Sequence, residues 1–215
     1  MCVLEGHDTG VPVGSRAPDS IGPADRRRLA ALHRGSLPES AIVALGKSYA
    51  ERFYRYLSDS AQEHAFLHRD ATGAIDAVCV VSLDPRGLNR RLWWRTPLLW
   101  SLLRASGARG RRALASALSP SAGAHRYESG DGASGVFDAP EVILVFVAPG
   151  RRRRGLGRAL LARVRAWLRD TGYRRCLART RDHPRNRAVA FYRAAGFELR
   201  GHSSHRGFQV WESDV

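Results

Sequence analysis

The chain has 215 residues, 44% of them apolar, which suffices for a folded domain with a sizeable core and argues against general disorder. Its formal net charge of +15 favours anionic ligands and raises non-specific binding to nucleic acids. The three cysteines show neither a disulfide nor a metal-binding spacing, and no apolar stretch approaches the ~18 residues of a membrane span. No signal-peptide pattern opens the sequence, so we expect a cytoplasmic protein.

Capping residues and apolar spacing predict the elements of the first part of the chain. In order these are a tail at 1–10, a strand at 11–16, a helix from Pro23 to about His33, a second helix with Ile42, Leu45, Tyr49, Phe53, Tyr56 and Leu57 at helical spacing, and strands at 64–68 and 75–83. The turn between the two strands is predicted at 70–73, where Asp70 and Gly73 are typical turn residues.

Residues 84–138 form an insert of unusual composition. Its first part, 84–120, holds eight arginines, three of the five tryptophans and no acidic residue except Asp84. Pro97 excludes a single continuous helix there. Its second part, 119–135, is rich in glycine, serine and alanine, which predicts a flexible loop.

Strand-like and helix-like patterns alternate after the insert. The predicted elements are a strand at 142–147, a helix whose apolar face carries Leu160, Leu161, Val164, Trp167 and Leu168 and which ends near 171–172, a strand at 175–180, a helix at 186–195, and strands at 197–200 and 208–212. The sequence contains no internal repeat.

The stretch from Glu141 to Gly157, EVILVFVAPGRRRRGLG, has the order strand, tight loop and helix N-terminus. Such a junction directs unpaired backbone N–H groups and the positive end of a helix dipole at one place, which suits a phosphate. Gly155 and Gly157 allow the backbone to approach a ligand closely. Taken alone, the same residues also fit a solvated basic turn before a helix.

A second motif, NRAVAFYRAAGF, runs from Asn186 to Phe197. Together the two stretches resemble the GNAT superfamily of acetyl-CoA-dependent N-acetyltransferases. Residues 152–157 match its pyrophosphate loop, (Arg/Gln)-x-x-Gly-x-(Gly/Ala), and residues 186–197 match its Asn-x-x-Ala-x-x-Phe-Tyr-x-x-x-Gly-Phe signature.

The resemblance is strong over 139–212, fainter over 11–83 and absent from the insert, 84–138. It implies an α/β (α+β) fold in which a mixed, mostly antiparallel sheet is flanked by helices on both faces. It also implies a single domain over 11–215 that uses acetyl-CoA as co-substrate and transfers the acetyl group to an amine.

The resemblance further assigns the residues that bind acetyl-CoA. The strand edge at Val145, Phe146 and Val147 pairs with the pantetheine amides, and a backbone N–H near Val145, where the family's strand bulges, stabilises the oxyanion. Asn186 resembles a side-chain contact to pantetheine, and its position also suits a helix N-cap. The diphosphate is assigned to Arg152, Arg153, Arg154, Gly155, Leu156, Gly157 and Arg158.

Two residues are candidates for proton transfer. Glu141 is the candidate base, because family members with a strand glutamate carry it at the separation that Glu141 has from Gly155. Its alternative is a polar residue at the start of a strand. Tyr192 is the candidate acid, since the resemblance places it near the cofactor sulfur; its alternative is packing beside Phe191.

The sequence does not identify the acceptor. A small-molecule amine is favoured over a basic peptide, which this basic protein would repel. The Arg/Trp-rich insert suggests an alternative, an RNA-directed protein that acetylates aminoacyl-tRNA or binds nucleic acid with the same fold. A membrane-surface element is a third interpretation of the insert. No metal site is predicted, because His202 and His205 lack a second pair of ligands.

Overall fold

The computed structural model describes residues 17–95, 126–128, 134–136, 139–184, 186–203 and 207–215. The predicted tail and first strand lie outside these residues, and so does most of the insert. None of the helices in the described part of the chain is both long enough and apolar enough to cross a lipid bilayer.

Eight strands of the described residues form one sheet. They are β1 (Glu63–Arg69), β2 (Ile75–Ser82), β3 (Arg126–Glu128), β4 (Ser134–Val136), β5 (Glu141–Val147), β6 (Arg175–Arg181), β7 (Glu198–Ser203) and β8 (Phe208–Asp214). Their order across the sheet is β1-β2-β5-β6-β8-β7-β3-β4, and only β5 and β6 are parallel. The predicted mixed, mostly antiparallel sheet is therefore confirmed.

Helices cover both faces of this sheet, as predicted. They are α1 (Pro23–Ser36), α2 (Ala41–Ala44), α3 (Lys47–Asp59), α4 (Leu88–Arg95), α5 (Leu156–Asp170) and α6 (Arg187–Ala194). On one face, Leu29 and Phe53 of the helices pack with Val78, Val80 and Phe146 of the strands, and we call this the α1/α3 face. The other face, the α5/α6 face, has a second core formed by Cys79, Val142, Leu161, Tyr192 and Trp211.

Two predictions about elements were wrong. The second helix is split into α2 and α3, because Gly46 adopts a left-handed conformation (φ +96°) that an α-helix does not contain. The predicted loop at 119–135 contains β3 and part of β4, which pair with each other, and Glu128 of β3 also pairs with His202 of β7. Pairing at a sheet edge thus overrides the composition of that segment.

His33 links α1 to the start of α2, to α3 and to β5. It is fully buried, with Nδ1 at 2.9 Å from the Tyr54 hydroxyl and Nε2 at 2.9 Å from the Ser40 hydroxyl. Its ring lies 5.1 Å from that of Phe146 on β5. Burial lowers the pKa of His33 from 6.5 to about 4. The neutral imidazole therefore fixes the α1–α2 connection against α3 and β5.

The shifted pKa of His33 predicts a loss of stability in mild acid. The folded pKa lies below the unfolded value of 6.5, so the contribution is complete above pH 6.5 and is lost as the pH falls towards 4. Over this window the free energy of unfolding should decrease by about 3 kcal/mol more in the wild type than in His33→Gln. Urea unfolding at several pH values measures this difference, and parallel pH profiles of the two proteins would contradict it.

Candidate functional site

The site begins where β5 separates from β6. These two strands pair only through Glu141 with Leu177 and Val142 with Ala178. The register between β2 and β5 shifts there and leaves Ile143 as an extra residue in β5. An extra residue bends a strand and increases its twist, so β5 diverges from β6 beyond Val142. We call the opening the β5–β6 gap. The bulge lies at Ile143, two residues before its expected position near Val145.

The backbone of Val145 and Val147 faces the β5–β6 gap. The Ala148 N–H donates to the Asp76 carbonyl at 2.7 Å, next to the end of the β2–β5 ladder. Because hydrogen bonding alternates along an antiparallel pair, Leu144 and Phe146 are the residues of β5 that bond to β2. The N–H and C=O groups of Val145 and Val147 point the other way. Phe146 is thus not on the gap, and its side chain is buried in the core of the α1/α3 face.

The loop after β5 has the backbone of an anion site. A single 3-10 turn, Pro149–Arg151, is followed by two left-handed residues, Arg153 (φ +63°) and Gly155 (φ +78°). Left-handed residues in a turn direct neighbouring N–H groups to one side. Leu156 then starts α5, whose N-terminus adds the positive end of the helix dipole.

The arginines of this loop divide into two groups. Arg151 lies 3.2 Å from Asp70 and 3.7 Å from Asp76, which also contacts His68 at 2.5 Å. Arg152 donates to the carbonyls of Val147 and Ser36 at 3.2 and 3.1 Å. Both side chains therefore attach the loop to neighbouring elements, and the cofactor-binding role of Arg152 stays a prediction. The side chains of Arg153, Arg154 and Arg158 are exposed and suited to phosphate.

The two glycines of the loop have different functions. Gly155 has open space around its missing side chain, but its φ of +78° is strained for any residue with a Cβ. A Cβ on Gly157 would lie 3.0 Å from the Phe191 ring and 3.7 Å from Val147. Gly157 thus allows α5 to pack closely against α6, and the role of both glycines in the approach of a ligand stays a prediction.

Glu141 lies on the α1/α3 face at the closed end of the β5–β6 gap. Its side chain is buried, and its Oε1 accepts a hydrogen bond from Arg179 Nε at 2.6 Å. Arg179 belongs to β6, just beyond the last residue paired with β5. Sequence analysis missed this arginine, although a charged residue within the apolar strand sequence CLART was a signal that could have identified it.

Tyr192 lies across the sheet from Glu141, on the α5/α6 face. Only 4% of it is exposed, and its ring contacts Phe191 and Phe197 with centroids at 5.3 and 5.4 Å. Burial raises the pKa of its hydroxyl far above the ordinary value, and the nearby Cys79 thiol and Glu141 carboxylate raise it further. The hydroxyl is therefore protonated at neutral pH.

Asn186 acts as the N-cap of α6, as one of its two interpretations predicts. Its side-chain oxygen accepts a hydrogen bond from the Ala188 N–H at 3.0 Å. Its Nδ2 donates to the Thr180 hydroxyl at 2.6 Å and to the Arg181 carbonyl at 2.5 Å. These bonds fix the start of α6 to β6 beside the β5–β6 gap.

Polar residues near the hairpin of β7 and β8 do not form a metal site. Asp182 accepts a hydrogen bond from Gln209 at 2.9 Å and lies 3.0 Å from His202. Within the described ranges no group of three or more His, Cys, Asp and Glu side chains is arranged to hold a metal ion. His205, the other residue of the pair considered from sequence, lies outside those ranges.

The family model of the acetyltransferase (GNAT) family matches residues 125–197. This range contains β5, the arginine loop, α5, β6 and α6, and so both motifs and both sides of the β5–β6 gap. The chain carries a GNAT-family acetyltransferase domain. GNAT enzymes use acetyl-CoA as the acetyl donor, in agreement with the sequence motifs. The match begins within the insert, so the expectation that the resemblance is absent from 84–138 was wrong for residues 125–138.

Solved acetyltransferase structures share this fold over nearly their whole length. An acetyltransferase from Thermus thermophilus is 18% identical, with 93% of this chain and 95% of that chain covered and a TM-score of 0.54. The ribosomal-protein-S18-alanine N-acetyltransferase of Escherichia coli is 13% identical, with 92% of each chain covered and a TM-score of 0.51. The PaiA N-acetyltransferase of Thermoplasma acidophilum, solved with coenzyme A, is 10% identical, with 92% of this chain and 97% of that chain covered and a TM-score of 0.51. No curated protein sequence matches the chain significantly.

The left-handed conformation of Gly155 leads to a prediction about cofactor binding. A Cβ in Gly155→Ala would strain the loop by about 1–2 kcal/mol, which should weaken coenzyme A binding by about tenfold if the loop relaxes. Gly150→Ala is the matched control, because Gly150 is in the same loop, has open space and lacks a positive φ. Isothermal titration calorimetry with coenzyme A measures both variants, and equal affinities would contradict the prediction.

Proposed function

We propose that the protein transfers the acetyl group of acetyl-CoA to the primary amine of a small molecule by direct attack. The observation that supports this most is the β5–β6 gap, which combines a strand edge not paired with β6, a loop suited to an anion and the two candidate proton-transfer residues on opposite faces of the sheet.

The donor would bind along β5. Its diphosphate would contact the N–H groups of the loop at 153–157 and the start of α5, with the side chains of Arg153, Arg154 and Arg158 nearby. Its pantetheine amides would pair with the backbone of Val145 and with the N–H of Val147, since the Val147 carbonyl already accepts from Arg152. Asn186 could contact the same arm only if it released one of its bonds to β6.

Acetyl transfer would then require three proton movements. The ammonium first gives one proton to Glu141, directly or through water, because a protonated nitrogen has no lone pair with which to attack. The free amine then attacks the thioester carbon from the α1/α3 face, the carbon–sulfur bond breaks, and the nitrogen releases its second proton to solvent. The Val145 N–H would stabilise the negative charge that develops on the acetyl oxygen. Tyr192, on the α5/α6 face, would donate its proton to the leaving thiolate and recover one from solvent.

We favour a small-molecule acceptor because this basic chain would repel a basic peptide and because Glu141 is buried beside the last residue pairs of β5 and β6. The nucleic-acid alternative depends on the Arg/Trp-rich part of the insert, most of which lies outside the described residues.

Replacing the base should produce a pH-dependent loss of activity. Glu141→Gln should lower kcat by about 10²-fold or more near neutral pH, and the loss should shrink as the pH approaches the pKa of the amine, about 10, where the acceptor needs no base. A thiol-release assay across pH measures this change. Glu212→Gln is the matched control, since Glu212 is also buried and paired with an arginine but belongs to β8. If Glu141→Gln had the same activity as the wild type at every pH, the role of Glu141 as the base would be contradicted.

Replacing the acid should affect turnover and leave donor binding intact. Tyr192→Phe keeps the ring that packs on Phe197, so the fold and the dissociation constant of coenzyme A should change by less than about twofold. Loss of the proton donor should lower kcat by about 10²-fold. Tyr173→Phe, a partly buried tyrosine packed against the same core, serves as the control. Equal kcat values for Tyr192→Phe and the wild type would reject Tyr192 as the acid.

A further inference from the structure

We infer that the acceptor is a zwitterion, an amine that carries a carboxylate next to the reacting nitrogen, as in an α-amino acid, and that Arg179 binds this carboxylate. The inference rests on the proposed function, because it assumes that the amine approaches Glu141. It adds a substrate class and a specificity-determining residue to that proposal.

The position of Arg179 places it where an acceptor would enter. Side chains alternate along a strand, so Leu177, Arg179 and Arg181 of β6 share one face, and Leu177 is paired with Glu141 of β5. Arg179 follows the last residue of β6 that pairs with β5, so it borders the β5–β6 gap on the α1/α3 face. Its side chain is 31% exposed, whereas that of Glu141 is 4% exposed. An acceptor that reaches the carboxylate therefore passes the guanidinium.

The chemistry of the Glu141–Arg179 pair matches a zwitterion. The bond to Glu141 uses the Nε–H of Arg179, and the two terminal nitrogens form the other edge of the planar guanidinium. That edge has the geometry that binds a carboxylate through two parallel hydrogen bonds. With the ammonium at Glu141 and the carboxylate at Arg179, each charge of an amino acid would face its opposite within one small site.

The charges on this side of β6 disfavour an acceptor that carries only positive charge. Arg179 lies 2.6 Å from the carboxylate that would receive the amine, and the exposed Arg181 follows on the same face. Another carboxylate on this face, that of Glu212 beside Leu177, is paired with Arg175 and Arg200. The guanidinium groups of Arg179 and Arg181 beside Glu141 would therefore repel a polyamine and attract an anionic group.

Matched acceptors test this inference. Thiol release from acetyl-CoA would be measured with alanine, glutamate and phenylalanine, with the amide of each, and with the amine left when its α-carboxylate is removed. For the best amino acid, we expect kcat/KM to exceed the values for its amide and for its decarboxylated amine by about tenfold or more. Arg179→Lys should abolish most of this preference by raising KM, because a lysine keeps the positive charge beside Glu141 but lacks the fork of donors. In the same variant kcat/KM for the decarboxylated amine should fall by a factor at least about tenfold smaller than that for the amino acid.

Controls separate this inference from the proposed function. Arg175→Lys changes an exposed arginine of the same strand and face and should retain the wild-type preference. Equal turnover of acceptors with and without the carboxylate would overturn the inference and leave the acetyltransferase proposal standing. An equal loss for both classes in Arg179→Lys would show that Arg179 only orients Glu141, which also overturns it. If no amine of any kind released thiol, the proposed transfer to small amines would itself be contradicted, and the zwitterion with it.

Discussion

The site depends on the separation of β5 from β6. The extra residue at Ile143 bends β5 after only two residue pairs with its parallel neighbour. An unpaired strand edge inside a sheet is costly unless something else satisfies it. Arg152 and Ser36 donate to the Val147 carbonyl, and the backbone groups of Val145 and the N–H of Val147 are suited to a ligand with amides of its own. Because of this separation, the α1/α3 face and the α5/α6 face both border the β5–β6 gap. In the proposed mechanism this separation would let one residue on each side of the sheet, Glu141 and Tyr192, serve a single reaction.

Several arginines surround the β5–β6 gap, and their side chains have different contacts. Arg151 and Arg152 are bonded to Asp70, Asp76 and backbone carbonyls, so they hold the loop in place. Three exposed arginines of the loop and of the start of α5 are available to a diphosphate. Arg179, on the far side of the gap, is bonded to the proposed base and borders the path of the acceptor. The net charge of the chain alone could not distinguish these roles.

Local sequence patterns predicted the elements that depend mainly on residues close together in the chain. The apolar run of β5, the glycine-containing loop and the periodicity of α5 each identify their element within a few residues, and the two motifs identified the family. The break at Gly46 was missed because apolar spacing continues across it. The strands β3 and β4 were missed because their pairing with each other and with β7, rather than composition, stabilises them. The Glu141–Arg179 pair joins residues 38 positions apart, so it depends on a strand register that no single segment encodes.

Amide hydrogen exchange of β5, resolved by NMR, tests the central claim most directly. If the edge of β5 is open in the free protein and receives the pantetheine arm, the Val145 and Val147 amides should exchange rapidly alone and become protected when coenzyme A is added. Leu144 and Phe146, whose groups face β2, should be protected in both states and serve as internal references. Protection of Val145 and Val147 in the free protein, or exchange that coenzyme A leaves unchanged, would contradict the assignment of the β5–β6 gap as the donor site.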